Sequence, residues 1–380
     1  MYEGGAFTPE EEAAFAKEEA LDAEIDEINR ELQKKVSSPF IKGGTANKID
    51  LSNIVGSVNT EAAKEEVFLT PMNIKMHDHN MNFVIPSGIN MLDKRIMGFN
   101  KGELSVWSGS NGCGKSSLLS QIAIESIDVG RKVALYSGEL RADRVMNWLH
   151  LQCAGKKNVI NTQYENYYTV PGDTRGKINS WLEGKLYVYN NAHSSKVEDV
   201  VTAVRECIEQ NNIDVIIIDN LMSLDLSSVT GEKYEKQTNL VLALTQLCKI
   251  KNIVIHFITH PRKTMMFLRK NDISGSADIT NAADNVFLVH RCNTDFKKGI
   301  KEHLGIKDDN PLLGYDNVIE ICKNRDLGIS DEFIGLYFEK ETKRFLNTSS
   351  EFKHYGWERS PDGFLQLTDG EETPFGNIGD

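Results

Sequence analysis

Residues 103 to 119 read Glu103-Leu104-Ser105-Val106-Trp107-Ser108-Gly109-Ser110-Asn111-Gly112-Cys113-Gly114-Lys115-Ser116-Ser117-Leu118-Leu119. An apolar run passes into a glycine-rich loop and then into a helix-forming run, and that succession decides the fold. The loop Gly109 to Ser116 fits G-x-x-x-x-G-K-[ST] between a strand and a helix. Its glycines let backbone N–H groups curl around phosphate oxygens, and the N-terminus of the next helix adds its dipole. Lys115 then reaches the terminal phosphates, while Ser116, followed by Ser117, offers a hydroxyl to Mg2+. The loop predicts binding of ATP, or another nucleoside or deoxynucleoside triphosphate, together with Mg2+.

Around this unit, short β-rich runs alternate with longer amphipathic stretches. Lys132 to Ser137, Lys185 to Tyr189, Val215 to Asp219 and Ile253 to Thr259 follow Glu103 to Ser108 in this way. The alternation predicts an α/β fold with a mainly parallel central sheet and helices on both faces. Asn285 to His290, Val318 to Cys322 and Ile334 to Phe338 come in closer succession, which predicts an antiparallel extension.

Three residues at the ends of these runs suit hydrolysis. Asp219 closes Val215-Ile216-Ile217-Ile218-Asp219 at the sheet edge where open α/β folds bind ligands, and is expected to orient Mg2+ through water. Glu139, just after the run ending at Ser137, is the candidate base for the attacking water. His260 ends the run beginning at Ile253, where an imidazole can sense the terminal phosphate. The loop behind it, Pro261 to Ile279, carries Arg262, Lys263, Arg269, Lys270, Gly275 and Ser276, a set suited to the DNA backbone.

With these motifs in order, residues 95 to 346 resemble the RecA-like P-loop NTPase core of the DnaB family (superfamily 4) of ring-shaped replicative DNA helicases, particularly its Twinkle-like and phage members. The resemblance rests on Gly102-Glu103-Leu104, Ile217-Ile218-Asp219-Asn220-Leu221, Thr259-His260-Pro261-Arg262-Lys263, Gly275-Ser276-Ala277-Asp278, Ala283-Asp284-Asn285-Val286 and Lys323-Asn324-Arg325. It implies a hexameric or heptameric ring that hydrolyses nucleotide at subunit interfaces, threads single-stranded DNA 5′ to 3′ and unwinds forks. It further implies that Lys323 and Arg325 act on the neighbouring subunit's nucleotide, with Arg325 as an arginine finger, and that Arg291 and Phe338 clamp the base. Leu224 to Lys236 and Pro261 to Ile279 are the two expected central-channel loops. The same core also serves RecA- and RadA-type recombinases and KaiC-like regulatory ATPases. The Lys-x-Arg pair and the His-Pro-Arg-Lys string favour the helicase.

Composition bounds the remaining possibilities. The 380 residues are 40% hydrophobic, enough for one large core. No run reaches the roughly 18 apolar residues of a membrane span, so no membrane is expected as a partner and the expected compartment is the cytoplasm, bacterial or of a phage's host. The net charge of −12 opposes wrapping of nucleic acid by the whole surface, but not a localised basic channel. Cys113, Cys153, Cys207, Cys248, Cys292 and Cys322 form no C-x-x-C pair and read as reduced thiols. Residues 1–35 predict an acidic amphipathic helix from Thr8 to Lys35, with eleven acidic residues against four basic and an apolar stripe of Leu21, Ile25, Ile28 and Leu32. It suits oligomerisation or docking of a loader or primase. Residues 36–85 read as a linker, 86–348 as the ATPase core and 349–380 as an acidic, disordered tail. With no recognisable primase domain, priming is expected from a separate protein, with a loader or polymerase as further partners.

Overall fold

The computed structural model of the chain describes residues 68–74, 84–261, 267–273 and 277–359. The expected N-terminal helix, most of the linker, the end of the tail, and Arg262, Lys263, Gly275 and Ser276 lie outside the described residues. The strands are β1 (Val84–Ile85), β2 (Phe99–Asn100), β3 (Leu104–Ser108), β4 (Val133–Ser137), β5 (Ile160–Asn161), β6 (Tyr168–Thr169), β7 (Leu186–Val188), β8 (Val215–Asp219), β9 (Val254–Ile258), β10 (Asn285–Arg291), β11 (Asn317–Asn324), β12 (Glu332–Glu339) and β13 (Arg344–Leu346). The helices are α1 (Asn90–Ile96), α2 (Lys115–Asp128), α3 (Ala142–Ala154), α4 (Gly172–Leu182), α5 (Val197–Asn211), α6 (Lys233–Lys251), α7 (Ala277–Ala282) and α8 (Thr294–Leu304).

Nine strands form one sheet in the order β13-β12-β11-β10-β3-β9-β8-β4-β7. From β10 to β7 all neighbours are parallel, and from β10 to β13 all are antiparallel. Each β-rich run read from the sequence coincides with one of these strands to within two residues at either end. The central strands bury both faces because consecutive side chains enter different apolar layers. Trp107 faces the layer that α2, α3 and α4 supply, and Leu104 and Val106 face the layer of α5 and α6. In β8, Val215 and Ile217 part from Ile216 and Ile218 in the same manner.

Local chemistry ends the helices. Asn212 (φ 54°) and Asn252 (φ 50°) take the left-handed conformation that closes α5 and α6, which asparagine tolerates better than branched residues. Asn293 caps α8, its side chain accepting from the Phe296 N–H at 2.9 Å.

The tail expected from residue 349 is ordered as far as Arg359, and this part of the expectation is corrected. Tyr355 is 1% exposed, and its hydroxyl donates to Glu125 Oε1 at 3.0 Å. Lys353 Nζ reaches the same oxygen at 2.8 Å, and Trp357 Nε1 donates to the Cys153 carbonyl at 3.0 Å. Arg344 binds the carbonyls of Gln152 (2.6 Å), Cys153 (3.0 Å) and Lys353 (2.8 Å), tying the end of α3 to this strap. A few anchors inside a polar stretch suffice because each is buried and satisfied. Truncation of a buried aromatic leaves a cavity, so Tyr355→Ala is expected to lower stability by about 3–5 kcal/mol in urea denaturation. An unchanged midpoint would show that the strap adds nothing to the core.

Candidate active site

The phosphate-loop motif occupies the turn between β3 and α2, at the C-terminal edge of the parallel strands. Gly109 (φ 148°), Gly112 (φ 71°) and Gly114 (φ 98°) hold backbone conformations that side chains rarely adopt. A Cβ at Gly109 would also stand 2.2 Å from the Val289 carbonyl oxygen, and one at Gly114 would stand 2.7 Å from Phe345 Cζ. The loop is therefore pressed against β10 and β13 from below. Asn317 Nδ2 adds a third hold, donating to the Cys113 carbonyl at 2.8 Å. Lys115, 7% exposed, turns its ammonium onto the carbonyls of Gly109 (2.7 Å) and Ser110 (3.0 Å). Those bonds hold the cation at the mouth of the loop, where phosphate oxygens can compete for it.

Asp219 is buried at the end of β8, two strands from β3, and the Ser116 side chain is hydrogen-bonded to it. Burial raises its carboxyl above the usual range, Ser116 pulls it down, Glu139 pushes it up, and Lys115 and His260 lower it. Among the described residues no group of three or more His, Cys, Asp and Glu side chains can hold a metal ion. A hydroxyl and one carboxylate suit Mg2+, which keeps waters and shares ligand phosphates instead of filling a protein cage.

Glu139 and His260 come together through a residue that has no evident role on sequence grounds. Asn220 Nδ2 donates to Glu139 Oε1 at 2.5 Å and lies 2.9 Å from His260 Nε2. Its Oδ1 accepts from the Met222 N–H at 2.9 Å, which fixes the amide orientation and points both amide hydrogens at the other two side chains. His260 Nε2 is then an acceptor, and the neutral ring carries its proton on Nδ1. Glu139 and His260 themselves approach to 3.4 Å. The only hint in the sequence is the position of Asn220, directly after Asp219.

Lys323 and Arg325 occupy the opposite edge of the sheet. Asn324 pairs with Asn285, which pairs with Ser105, so the turn after β11 sits level with the start of β3. There Arg325 Nη1 donates to Asp284 Oδ1 at 2.5 Å, and Nη2 donates to the Asn281 carbonyl at 2.6 Å. Lys323 Nζ donates to the carbonyls of Thr280 (2.9 Å), Asn281 (3.0 Å) and Ala283 (2.7 Å) at the end of α7. An amide chain holds the turn: Asn324 Nδ2 donates to Asn285 Oδ1 at 2.7 Å, and Asn285 Nδ2 donates to Glu103 Oε2 at 2.9 Å. Two of the sequence motifs, around Glu103 and Asn285, are thus the cradle of a third.

Arg291 and Phe338 end β10 and approach the end of β12 on the phosphate-loop side, since Arg291 pairs with Asn317 and Asn317 with Leu336. Phe338 packs 5.0 Å from Phe345, the ring that fills the space beside Gly114. Of the second expected channel loop, Arg269 is engaged within the chain, donating to Asp331 Oδ1 at 3.0 Å and lying 3.8 Å from Glu320 Oε1. Lys270 opens a short 3-10 turn, Lys270–Asp272. In the first expected loop, Leu224 and Val229 are buried and Ser228 Oγ donates to Glu198 Oε2 at 2.6 Å, which anchors its base to α5.

Comparison with known proteins accords with this layout. A family model described as the DnaB-like helicase C-terminal domain matches residues 84–347. The replicative DNA helicase DnaB of Helicobacter pylori (strain ATCC 700392 / 26695) is 22% identical over 220 residues, covering 54% of this chain and 43% of that protein. DnaB of Geobacillus stearothermophilus is 22% identical over 355 residues, covering 89% of this chain and 70% of that protein. The chain thus spans less than half the length of the first of these relatives. Among solved structures, an isolated ATPase domain superposes with a TM-score of 0.54 at 15% identity, over 79% of this chain and 99% of that one. A DnaB-like replicative helicase, described with its interactions with primase, superposes with a TM-score of 0.56 at 14% identity, over 88% of this chain and 74% of that one. These likenesses show the fold, α/β and RecA-like, and the family model spans nearly all of the described residues. The chain belongs to the DnaB-like helicase C-terminal domain family.

Proposed function

We propose that this chain is the motor of a ring-forming replicative DNA helicase, which hydrolyses ATP with Mg2+ at subunit interfaces to move along single-stranded DNA and open forks. The observation that carries this reading is the separation of the phosphate loop from Lys323 and Arg325. The five residues of β3 lie between them, roughly 16 Å at about 3.3 Å per residue. No side chain of one protomer spans that gap to its own phosphates, so a guanidinium for the transition state must come from a neighbour. In this scheme Gly109 to Ser116 bind the phosphates, Ser116 and Asp219 hold Mg2+, Glu139 activates water, and His260 reads the terminal phosphate. Asn220 positions Glu139 and His260, and Arg291 and Phe338 flank the base. The DnaB-like structural relative that interacts with primase supports a separate primase as partner. No helix of the described residues is long and apolar enough to cross a membrane, and the cytoplasm, where replicating DNA lies, is the proposed compartment.

The deciding experiment is hydrolysis with and without single-stranded DNA, alongside imaging of the assembly. Closed rings whose turnover rises with DNA are expected, whereas helical filaments, or turnover indifferent to saturating DNA, would sink the motor reading. Arg325→Ala should retain nucleotide binding and lose turnover by about a thousandfold, the scale of an arginine finger. Mixing it with Glu139→Ala protomers should restore activity, since some interfaces then combine an intact Glu139 with an intact Arg325. Normal hydrolysis by Arg325→Ala alone would refute the interface assignment.

Asn220→Ala should reduce turnover by about 10- to 100-fold, the usual cost of losing the partner that orients a working group. Nucleotide affinity should be unchanged. A loss confined to affinity would remove Asn220 from the hydrolytic arrangement. Lys323 supplies a pH test. Burial first, then the charges of Arg325 and Lys270, lower its pKa from 10.5 to about 8. Because the folded value is depressed, the ammonium is lost as pH rises through about 8, and a contact to a neighbour's phosphate is lost with it. Turnover should therefore decline above that pH in the parent chain and hold to higher pH in Lys323→Arg. Identical profiles would show that the Lys323 charge plays no part.

A further inference from the structure

A cavity of about 190 Å³ lies between α3, the β5–β6 hairpin, the start of α4 and the turn joining β12 to β13. Arg144, Arg175, Lys340 and Lys343 all line it, in a chain whose net charge is −12. The one carboxylate in the lining, Glu341, is paired with Lys156 at 3.3 Å. Among the described residues no ion pair engages any of the four cations. Lys343 instead lies over the Trp148 ring, 5.0 Å from its centroid, and burial lowers its pKa with no acid offsetting the shift. Like charges gathered without a counter-charge repel one another, and an anionic ligand relieves the repulsion.

Two further features narrow the ligand. Trp148, Tyr167 and Tyr168 give the cavity aromatic walls, against which a planar ring can stack. His150, 7% exposed, also lines it, and its Nε2 lies 2.7 Å from Asn179 Oδ1. With Asn179 Oδ1 accepting from Nε2, the Nδ1 of this neutral ring is an acceptor, and it has no partner. The cavity is smaller than the roughly 300–1,000 Å³ of drug-sized sites, so one phosphate with one base or sugar is what it holds.

We propose that this cavity is a second nucleotide site, distinct from the phosphate loop, in which Arg144, Arg175, Lys340 and Lys343 bind the phosphate of a single nucleotide unit and the aromatic walls take its base. The unit can be a free mononucleotide or the phosphorylated end of a DNA strand. The cavity also touches the proposed motor. Gln152 Nε2 donates to the Ser117 carbonyl at 2.7 Å, in the first turn of α2, and to the Lys343 carbonyl at 3.0 Å, in the turn that carries two of the cations. Occupancy therefore bears on the helix behind the phosphate loop. This coupling rests on the nucleotide-binding reading of Gly109 to Ser116, whereas binding in the cavity does not.

The test uses the full chain carrying Lys115→Ala, which disables the phosphate loop. Anisotropy follows a fluorescent AMP analogue and a fluorescent, 5′-phosphorylated oligothymidylate. Saturable binding of the AMP analogue assigns the free nucleotide, and binding of the oligonucleotide alone, dependent on its 5′-phosphate, assigns the strand end. In either case Arg144→Glu with Arg175→Glu should weaken binding by about tenfold or more, because two charge-assisted contacts are reversed. Both arginines are exposed and their change should leave thermal unfolding in place, and Lys340→Glu provides a second charge reversal should it not. Binding of neither probe, or affinity unmoved by every charge reversal, overturns the proposal. Failure of DNA-stimulated hydrolysis in the parent chain, with this binding intact, would instead remove the motor reading alone.

Discussion

The length of β3 is the constraint on which the rest of the site depends. A parallel strand delivers its chain to one edge only, so the phosphate loop opens at the C-terminal end of β3 and Asp219 and His260 follow at the ends of β8 and β9. The turn after β11 comes from an antiparallel strand and is delivered to the other edge, with Lys323 and Arg325 on it. The two groups of residues cannot meet within one sheet. They are nevertheless connected through it, since Asp284 accepts from the Leu104 N–H at 3.0 Å with one oxygen and from Arg325 with the other. One carboxylate thus touches both the first residue of the phosphate-loop strand and the guanidinium proposed to act on the neighbour.

Lys323 adds a second connection. An ammonium has three hydrogens, and all three are committed to carbonyls at the end of α7. On the proposed function, contact with a neighbour's phosphate means giving up some of these bonds. The helix whose end is released in this way immediately follows the basic loop from Pro261 to Ser276. Nucleotide on one subunit and the position of that loop on the next are then alternatives competing for a single cation, which links the two by ordinary hydrogen-bond exchange.

The sequence was most legible where strands are long and buried on both faces. Val215 to Asp219 and Ile253 to Thr259 can only be interior strands, because apolar side chains fill both of their alternating faces and need cover on both sides. The phosphate loop was equally plain, since its glycines answer a steric demand visible at Gly109 and Gly114. The two- and three-residue strands β1, β2, β5, β6 and β13 were not legible, being too short to show a period. Asn220 escaped because its role is relational: nothing about an asparagine beside Asp219 says that Glu139 and His260 will converge on its amide. Lys323 and Arg325 entered only by resemblance, and their sheet edge needed the antiparallel register of β10 and β11. The strap from 349 to 359 was hidden by composition, since Tyr355 and Trp357 are isolated anchors in polar surroundings.

The same strap explains why the far end of the sheet can be so short and still hold the phosphate loop. β13 has only three residues, yet Gln121 on α2 extends its pairing with both functions of its amide: Nε2 donates to the Phe345 carbonyl at 2.8 Å, and Oε1 accepts from the Phe345 N–H at 2.7 Å. Phe345 is thereby fixed to the helix behind the phosphate loop, with its ring against Gly114. Arg344 beside it is fixed to the end of α3 and, at 5.2 Å, to the ring of Tyr355. The turn preceding this strand carries Lys340 and Lys343, and the strand before that ends near Phe338. The phosphate loop, the proposed base wall and the basic cavity are therefore mounted on one three-residue strand. Its position is set less by its own ladder than by one glutamine and one arginine.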